Sequence, residues 1–302
     1  MTQLGIMIEG QEGLSWERWR RICSDVDTLG FASLRRSDHL ISLMNDPSRD
    51  CIECWTSLAL AAEWTKRIEF GPMVSPITFR LPGVLAKQAA SVDALSGGRL
   101  ILGVGAGWNE NEHEVFHIPF YTQRERFDSL ESGIRIMRET WEKSNPKPAR
   151  NPIPLLIGGK GAKRTLPLVA REAAEWNHST LNAEAFRDHT ATLDRCCHDV
   201  GRDPKSIKRS VMTSYIIGRD TSELQERAAG VSQILPPLKS LSPDQVLENR
   251  KQAWFVGTPV QIAEQMREYA KLGVDLFMLQ HFLLDDGDAL RLLAEEVIPA
   301  IA

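Results

Sequence analysis

Three clusters in this chain combine residue types that move protons or hold charge. Ser37-Asp38-His39 places a hydroxyl, a carboxylate and an imidazole in consecutive positions. Imidazole gains and loses a proton near neutral pH, which suits general acid or base work. A histidine that caps a loop has the same local pattern, and from the residues alone that reading is the stronger. The second cluster is Leu95 to Glu112, LSGGRLILGVGAGWNENE. Ser96-Gly97-Gly98 reads as a turn, Arg99 to Val104 as a short strand buried on both faces, and Gly103, Gly105 and Gly107 alternate at its end. Glycines there remove side chains that would keep a flat ligand from the backbone, although a tight packing turn accounts for them better. The spacing is not the G-x-G-x-x-G dinucleotide fingerprint. The third cluster, Gly158-Gly159-Lys160-Gly161, leads into a helix start near Ala162 and forms a nest of backbone amides for an anion. Lys163 and Arg164 lie close by, with at least one of them expected on a solvated helix face. No G-K-[ST] follows, so this is not a P-loop.

Other reactive residues carry less. The five cysteines are Cys23, Cys51, Cys54, Cys196 and Cys197. An odd count in a large chain argues against a disulfide framework. Cys51 and Cys54 have metal or redox spacing, but no second Cys or His pair stands at a structural-zinc interval, so no metal site is expected.

Elements that could position these clusters follow from periodicity. Short apolar strands are expected at Leu4–Ile8, Phe31–Leu34, Ile68–Val74, Arg99–Val104, Ile153–Ile157, Glu175–Asn177, Ile207–Ile217 and Asp275–Leu279. Helices alternate with them: Ser15 caps one running to Leu29, and others span Trp55–Trp64 and Leu81–Leu95, the latter entered by Pro82. A polar loop is expected from Asn109 to about Thr122. Beyond it, Phe127, Leu130, Ile134, Met137 and Trp141 form a helical core stripe. Asn145 to Pro152 is a proline-rich linker, and Asp220 to Gln252 interrupts the alternation as an insertion that borders a site. Eight strand–helix units in 302 residues predict a (β/α)₈ TIM barrel spanning 1–302 as a single domain; a doubly wound sheet is the rival.

With 42% hydrophobic residues, 25% charged and a net charge of −4, the chain can bury a large core and shows no nucleic-acid or anionic-membrane surface. Its start, MTQLGIMIEG, lacks a signal-peptide pattern, and a soluble cytoplasmic protein is the expectation.

In a barrel, ligands sit at the carboxyl ends of the strands. That selects Ser37–His39, Val74–Pro76, Gly105–Glu112, Gly158–Gly161, Asn177–Thr180, Gln280 and His281. Ser37-Asp38-His39, the run RIEFGPMVSPITFRLPGVLAKQAASVDALSGGRLILGVGAGWNENE and the run IPLLIGGKGAKRTLPLVAREAAEWN closely resemble the bacterial luciferase-like superfamily. Within it they are most similar to the coenzyme F420-dependent oxidoreductase branch, across almost the whole chain.

The resemblance implies a barrel holding a flavin or 5-deazaflavin at its mouth, a group that supplies hydride chemistry no side chain can. It implies a non-proline cis peptide at Val74-Ser75 behind the ring, with an ordinary trans turn before Pro76 as the alternative. Asp38 and His39 would be catalytic, His39 passing the proton and Asp38 orienting it or the ring. Asn111 would donate to the pyrimidine edge; Glu110 and Glu112 beside it otherwise read as solvated carboxylates. Val74, Ser75, Gly105, Gly158, Gly159, Gly161 and Ser179 complete the expected cofactor set, Thr180 being an alternative hydroxyl to Ser179. Two departures stand out. Arg35-Arg36 replaces apolar or aromatic residues, so one arginine is expected in the pocket or paired with a carboxylate. Leu40 to Arg49 lacks the tryptophan of some sugar-phosphate-oxidising members. The expected activity is hydride transfer between F420 and a small organic substrate. An FMN-dependent monooxygenase using molecular oxygen is the alternative, and a non-catalytic flavin-binding barrel the rival of another class. A homodimer is left open.

Overall fold

The computed structural model describes residues 2–44, 46–179 and 181–301. In chain order it contains β1 (Gln3–Ile8), α1 (Trp16–Thr28), β2 (Ser33–Arg36), α2 (Cys54–Trp64), β3 (Glu69–Pro72), β4 (Ser75–Pro76), α3 (Pro82–Ser96), β5 (Leu102–Gly105), α4 (Glu110–Val115) and α5 (Gln123–Lys143). Then follow β6 (Leu155–Gly158), α6 (Thr165–Glu172), β7 (Glu175–His178), α7 (Ala183–Asp199), β8 (Lys208–Ile217), α8 (Thr221–Ile234), α9 (Pro243–Arg250), β9 (Phe255–Gly257), α10 (Pro259–Ala270), β10 (Leu276–Gln280), α11 (Gly287–Leu292) and α12 (Ile298–Ile301).

Local signals explain most boundaries. The Ser15 hydroxyl accepts from the Arg18 amide at the start of α1, and Pro82 occupies the first turn of α3, where its missing N–H costs nothing. Thr122 and Glu125 form a reciprocal capping box on α5. Gly97 and Gly98 both have positive φ and end α3 in the expected turn.

The strands are parallel and run in the order β3-β2-β1-β10-β8-β7-β6-β5-β4. A bridge between Phe70 and Leu100 brings the two ends together, so the sheet closes as a TIM-type barrel. The third barrel strand is split: β3 pairs with β2, and β4 pairs with β5. The cis peptide between them is Met73-Val74, one bond before the expected Val74-Ser75.

Alternation along the strands separates two cores. Met7, Met73, Ile101, Leu156, Leu276 and Met278 fill the barrel. Their outward neighbours, Ile6, Phe70, Leu102, Ile157, Phe277 and Leu279 among them, pack beneath the helices.

Three segments differ from expectation. The second strand is Ser33–Arg36, not Phe31–Leu34, because two arginines are drawn into it. The expected loop after β5 contains α4, whose start is capped by the Asn109 side chain. The sixth helix starts at Thr165 and not near Ala162. After β8, α8 and α9 surround a separate apolar cluster that includes Ala228, Val231, Leu238 and Val246. β9 then pairs with the outer half of β8, from Tyr215–Phe255 to Ile217–Gly257. Three residues are too few to show a period, so this strand had no sequence signal. No helix among the described residues is long and apolar enough to cross a membrane.

Candidate active site

The carboxyl ends of the strands carry the inward-facing polar residues. Ser37 follows β2 on the same face as Ser33 and Arg35, and His39 continues that face into the loop. Glu9 follows Met7 at the end of β1, while Gln280 ends β10 and is paired with Ser214 of β8.

His39 is the half-buried imidazole here. Its Nδ1 lies 2.7 Å from Glu112 Oε2, and the other oxygen of Glu112 accepts the Leu40 amide at 2.6 Å. Glu112 is fully buried, which corrects the reading of it as a solvated carboxylate; Glu110 is exposed. The helix α4 explains the difference, since helical positions two residues apart face different directions. Burial opposes a charge on His39. The Glu112 hydrogen bond and charge, with the charges of Glu9 and Asp38, outweigh it and raise the imidazole above its ordinary 6.5. An ionised Glu112 accepts only, so it holds the proton on Nδ1 and leaves Nε2 as the exchanging nitrogen. The edge of the exposed Trp108 ring stands 5.7 Å from the imidazole, centroid to centroid.

Asp38 is buried and engaged elsewhere. It accepts from the Ser75 hydroxyl at 2.5 Å and from two Arg80 nitrogens at 2.7 and 3.1 Å. Arg80 also reaches Glu53 at 2.8 Å, and Ser75 accepts from the Trp55 indole at 3.1 Å. Asp38 therefore fixes the turn after the cis peptide and makes no hydrogen bond to His39. Arg80 had no sequence signal, because its partner is 42 residues away.

The other imidazoles near strand ends are spoken for. His113 bonds the Asn109 carbonyl at 2.6 Å and the Thr78 hydroxyl at 2.9 Å. His178 faces outward among Trp176, Phe186 and His189. His281 is buried against the Tyr215 hydroxyl at 2.6 Å, and burial lowers it to about 4.

Beneath the mouth, Arg35 lies inside the barrel and bonds Glu175 at 3.3 Å, as expected of one arginine of the pair. Glu175 also accepts the Ser210 hydroxyl at 2.7 Å. Arg36 points outward and bonds the Ser37 and Ile52 carbonyls and the Ser57 hydroxyl.

The glycines divide into two kinds. A Cβ on Gly103 would strike the Pro72 carbonyl, and one on Gly105 would come within 2.7 Å of Val74. These two let the split third strand approach β5, which is the packing reading. Gly158 differs: among the described residues its Cβ would meet nothing nearer than 3.9 Å, so they leave open the space above it. The next glycine, Gly159, has φ +119 and stands against Thr165, as does Gly161. The amides of Gly161, Ala162 and Lys163 meet no carbonyl or side-chain acceptor among the described residues. Lys163, Ser179 and Asn111 are exposed. Arg164 turns away to Asp128 and Glu131 of α5. Thr180 lies outside the described residues. An open cradle at Gly158, free amides entering α6 and a polar mouth fit a phosphate-bearing ring cofactor.

Cys54 is buried at the start of α2, and the Cys51 thiol donates to the His39 carbonyl at 3.4 Å. Burial pushes both thiols up, Cys51 to about 11, so neither is a ready thiolate.

Comparison with known proteins bears on the family and the fold. Residues 2–276 match the luciferase-like monooxygenase family. The chain belongs to that family. The F420-dependent glucose-6-phosphate dehydrogenase of Intrasporangium calvum is 26% identical over 314 residues, covering 91% of this chain and 92% of that protein. The FMNH(2)-dependent dimethylsulfone monooxygenase of Pseudomonas putida is 25% identical, over 65% of each. With three mycobacterial relatives the match is 30% identical but spans about half their length, 52%. Among solved structures, an F420-dependent secondary alcohol dehydrogenase in complex with an F420-acetone adduct superposes with a TM-score of 0.82 at 17% identity, covering 100% of this chain and 99% of that one. At that identity the likeness establishes the fold. The family thus includes relatives that use F420 and relatives that use FMN.

Proposed function

We propose that this protein is an F420-dependent oxidoreductase that moves a hydride between the deazaflavin and a small organic substrate at the barrel mouth. The observation that carries the reading is the His39–Glu112 pair: a half-buried imidazole whose Nδ1 is held by a buried carboxylate, leaving Nε2 for the substrate. The deazaflavin, when bound, accepts or donates the hydride. His39 would hold or release the proton at the substrate heteroatom, which must move whenever a C–H hydride leaves an alcohol or joins a carbonyl. Glu112 would stabilise the imidazolium formed when Nε2 takes that proton. Asp38, through Ser75 and Arg80, would position the turn that backs the ring.

Gly158, Gly159 and Gly161 would bring the loop amides to the cofactor phosphate, with Ser179 at its edge, and Val74, Ser75, Gly105 and Asn111 would border the ring. The likeness to the P. putida monooxygenase supports a second reading, in which the same mouth binds FMN. Titrating the apo-protein with F420 and with FMN, each followed by absorbance, tests the choice. Tight F420 binding with reduction by a small alcohol supports the first reading. Binding of FMN alone, with oxygen consumed on reduction, overturns it. The whole chain, 1–302, would act as one barrel domain, in a monomer or a homodimer.

A further inference from the structure

One carboxylate at the mouth enters the chemistry above only through its charge, which helps raise His39. Glu9 is half-buried at the end of β1, on the same strand face as Met7. Its Oε1 accepts from Gln280 Nε2 at 2.6 Å and its Oε2 from Gln11 Nε2 at 3.0 Å. Both amides are themselves fixed. The oxygen of Gln280 accepts the Ser214 hydroxyl at 2.8 Å, and the oxygen of Gln11 accepts the Ser37 hydroxyl at 2.5 Å. Ser37 in turn accepts the Gly10 amide at 2.8 Å. The Glu9 carboxylate is thus held rigidly by neutral donors reaching from the ends of β10 and the β1 loop.

Its neighbours at the mouth are differently disposed. The Asp38 carboxylate is matched by Arg80, and Glu112 is matched by His39 and the Leu40 amide. Glu9 enters no ion pair among the described residues. The Arg36 guanidinium lies on the outer side of Gly10 and is occupied by the Ser37, Ile52 and Ser57 oxygens, and the imidazole that feels the Glu9 charge, His39, is hydrogen-bonded to Glu112 instead. A carboxylate offers about four acceptor sites, and the two amides use two. A half-buried anion with free acceptor sites and no ion-pair partner among the described residues is favourable toward a donor and unfavourable toward another anion.

We propose that Glu9 determines specificity at this mouth: it accepts a hydrogen bond from a hydroxyl or ammonium of the substrate and turns away molecules bearing phosphate or carboxylate at that end. This rests on the reading of the mouth as the substrate site, but not on which cofactor is used. Glu9 would touch the substrate directly and pass no proton.

The test compares three probes of one carbon skeleton: 1-amino-2-propanol, 1,2-propanediol and lactate. Their dissociation constants are measured by ligand-observed NMR on the full chain, with and without cofactor. The expected order is aminopropanol tightest and lactate weakest, with about tenfold or more between them, the scale of one close charge contact in a partly shielded site. Glu9→Gln keeps the shape, removes the charge and should bring the three within about threefold. Glu9→Ser provides the same comparison if the amide variant does not fold. Lactate binding as tightly as aminopropanol to the wild-type chain overturns the proposal, as does an unchanged order in either variant. Failure of all three probes to bind also overturns it. A protein that shows the expected order yet binds neither F420 nor FMN would sink the cofactor reading and leave this one standing.

Discussion

Glu112→Gln is the perturbation that separates a positioned acid–base histidine from a loop histidine. The native carboxylate accepts from both His39 Nδ1 and the Leu40 amide. A glutamine of the same shape has one accepting oxygen, so one of these donors loses its partner. If the amide NH₂ faces His39 instead, it imposes the opposite tautomer and converts Nε2 from an acceptor to a donor. A hydrogen bond to a charged group contributes about 1.5–3 kcal/mol net, which corresponds to about 10- to 10²-fold in a rate that depends on it. The pH dependence moves with a definite sign. In the native protein Glu112 helps raise His39, so the imidazolium persists to higher pH than in a peptide. With the charge gone, burial dominates and the limb assigned to His39 moves to lower pH. The linked stability has the same origin: a raised histidine adds stability below its unfolded value, and that gain is lost as pH rises through the folded value. The native Tm should therefore fall across neutral pH more than that of Glu112→Gln. The assay is single-turnover hydride transfer by stopped flow from pH 5 to 9, because slow product release would mask the step. A folded, cofactor-loaded Glu112→Gln with the native rate and the native pH limb would refute the pairing argument.

His39→Ala should retain cofactor binding and lower the single-turnover rate by at least about 10²-fold; a native rate would move attention to other groups at the mouth. Gly158→Val should weaken cofactor affinity about tenfold or more with little loss of Tm, because its Cβ enters open space. Gly159→Val should instead cost stability, about 1–2 kcal/mol, since its φ of +119 strains any side chain; calorimetry with a cofactor titration distinguishes the two. Arg35→Met should destabilise by about 3–5 kcal/mol by leaving Glu175 buried and unpaired, and Glu175→Gln in the same chain should restore part of it in denaturant melts. Cys51→Ser with Cys54→Ala should leave turnover unchanged, and stoichiometric zinc in the native protein, lost in that pair, would overturn the expectation that these cysteines hold no metal.

Much of the scaffold was legible because its signals are local. Ser15, Pro82 and Thr122 each mark a helix start within one turn, and the alternation of apolar runs predicts the barrel. The site was legible in part. His39 stood out by residue type and motif, but its partner did not. Glu110 and Glu112 are both carboxylates in one polar run, and only α4 makes one exposed and the other buried. The pair spans 73 residues, and Arg80 and Asp38 span 42, separations at which no spacing rule operates. Glu9 and Gln11 carried no motif at all. Their meeting with Gln280, 271 residues from Glu9, follows from β1 and β10 being neighbours in the closed sheet.

The glycine run shows how one residue type can answer two demands at different strand ends. The question at each position is what a methyl group would meet. At Gly103 and Gly105 it would meet the split third strand, Pro72 and Val74, so these glycines belong to the barrel's own closure. At Gly158 it would meet space at the mouth. The fold has no need of a glycine there, since φ is not positive and no neighbour among the described residues crowds it. Glycine at the end of a buried strand with room above it leaves that room for something the chain does not itself provide. The polar chain from Gln280 through Glu9 and Gln11 to Ser37, anchored on Ser214 of β8, and the His39–Glu112 pair stand at the mouth of the same barrel. Substituting Gly105 should thus cost folding stability and substituting Gly158 should cost ligand affinity, although the two glycines look alike in the sequence.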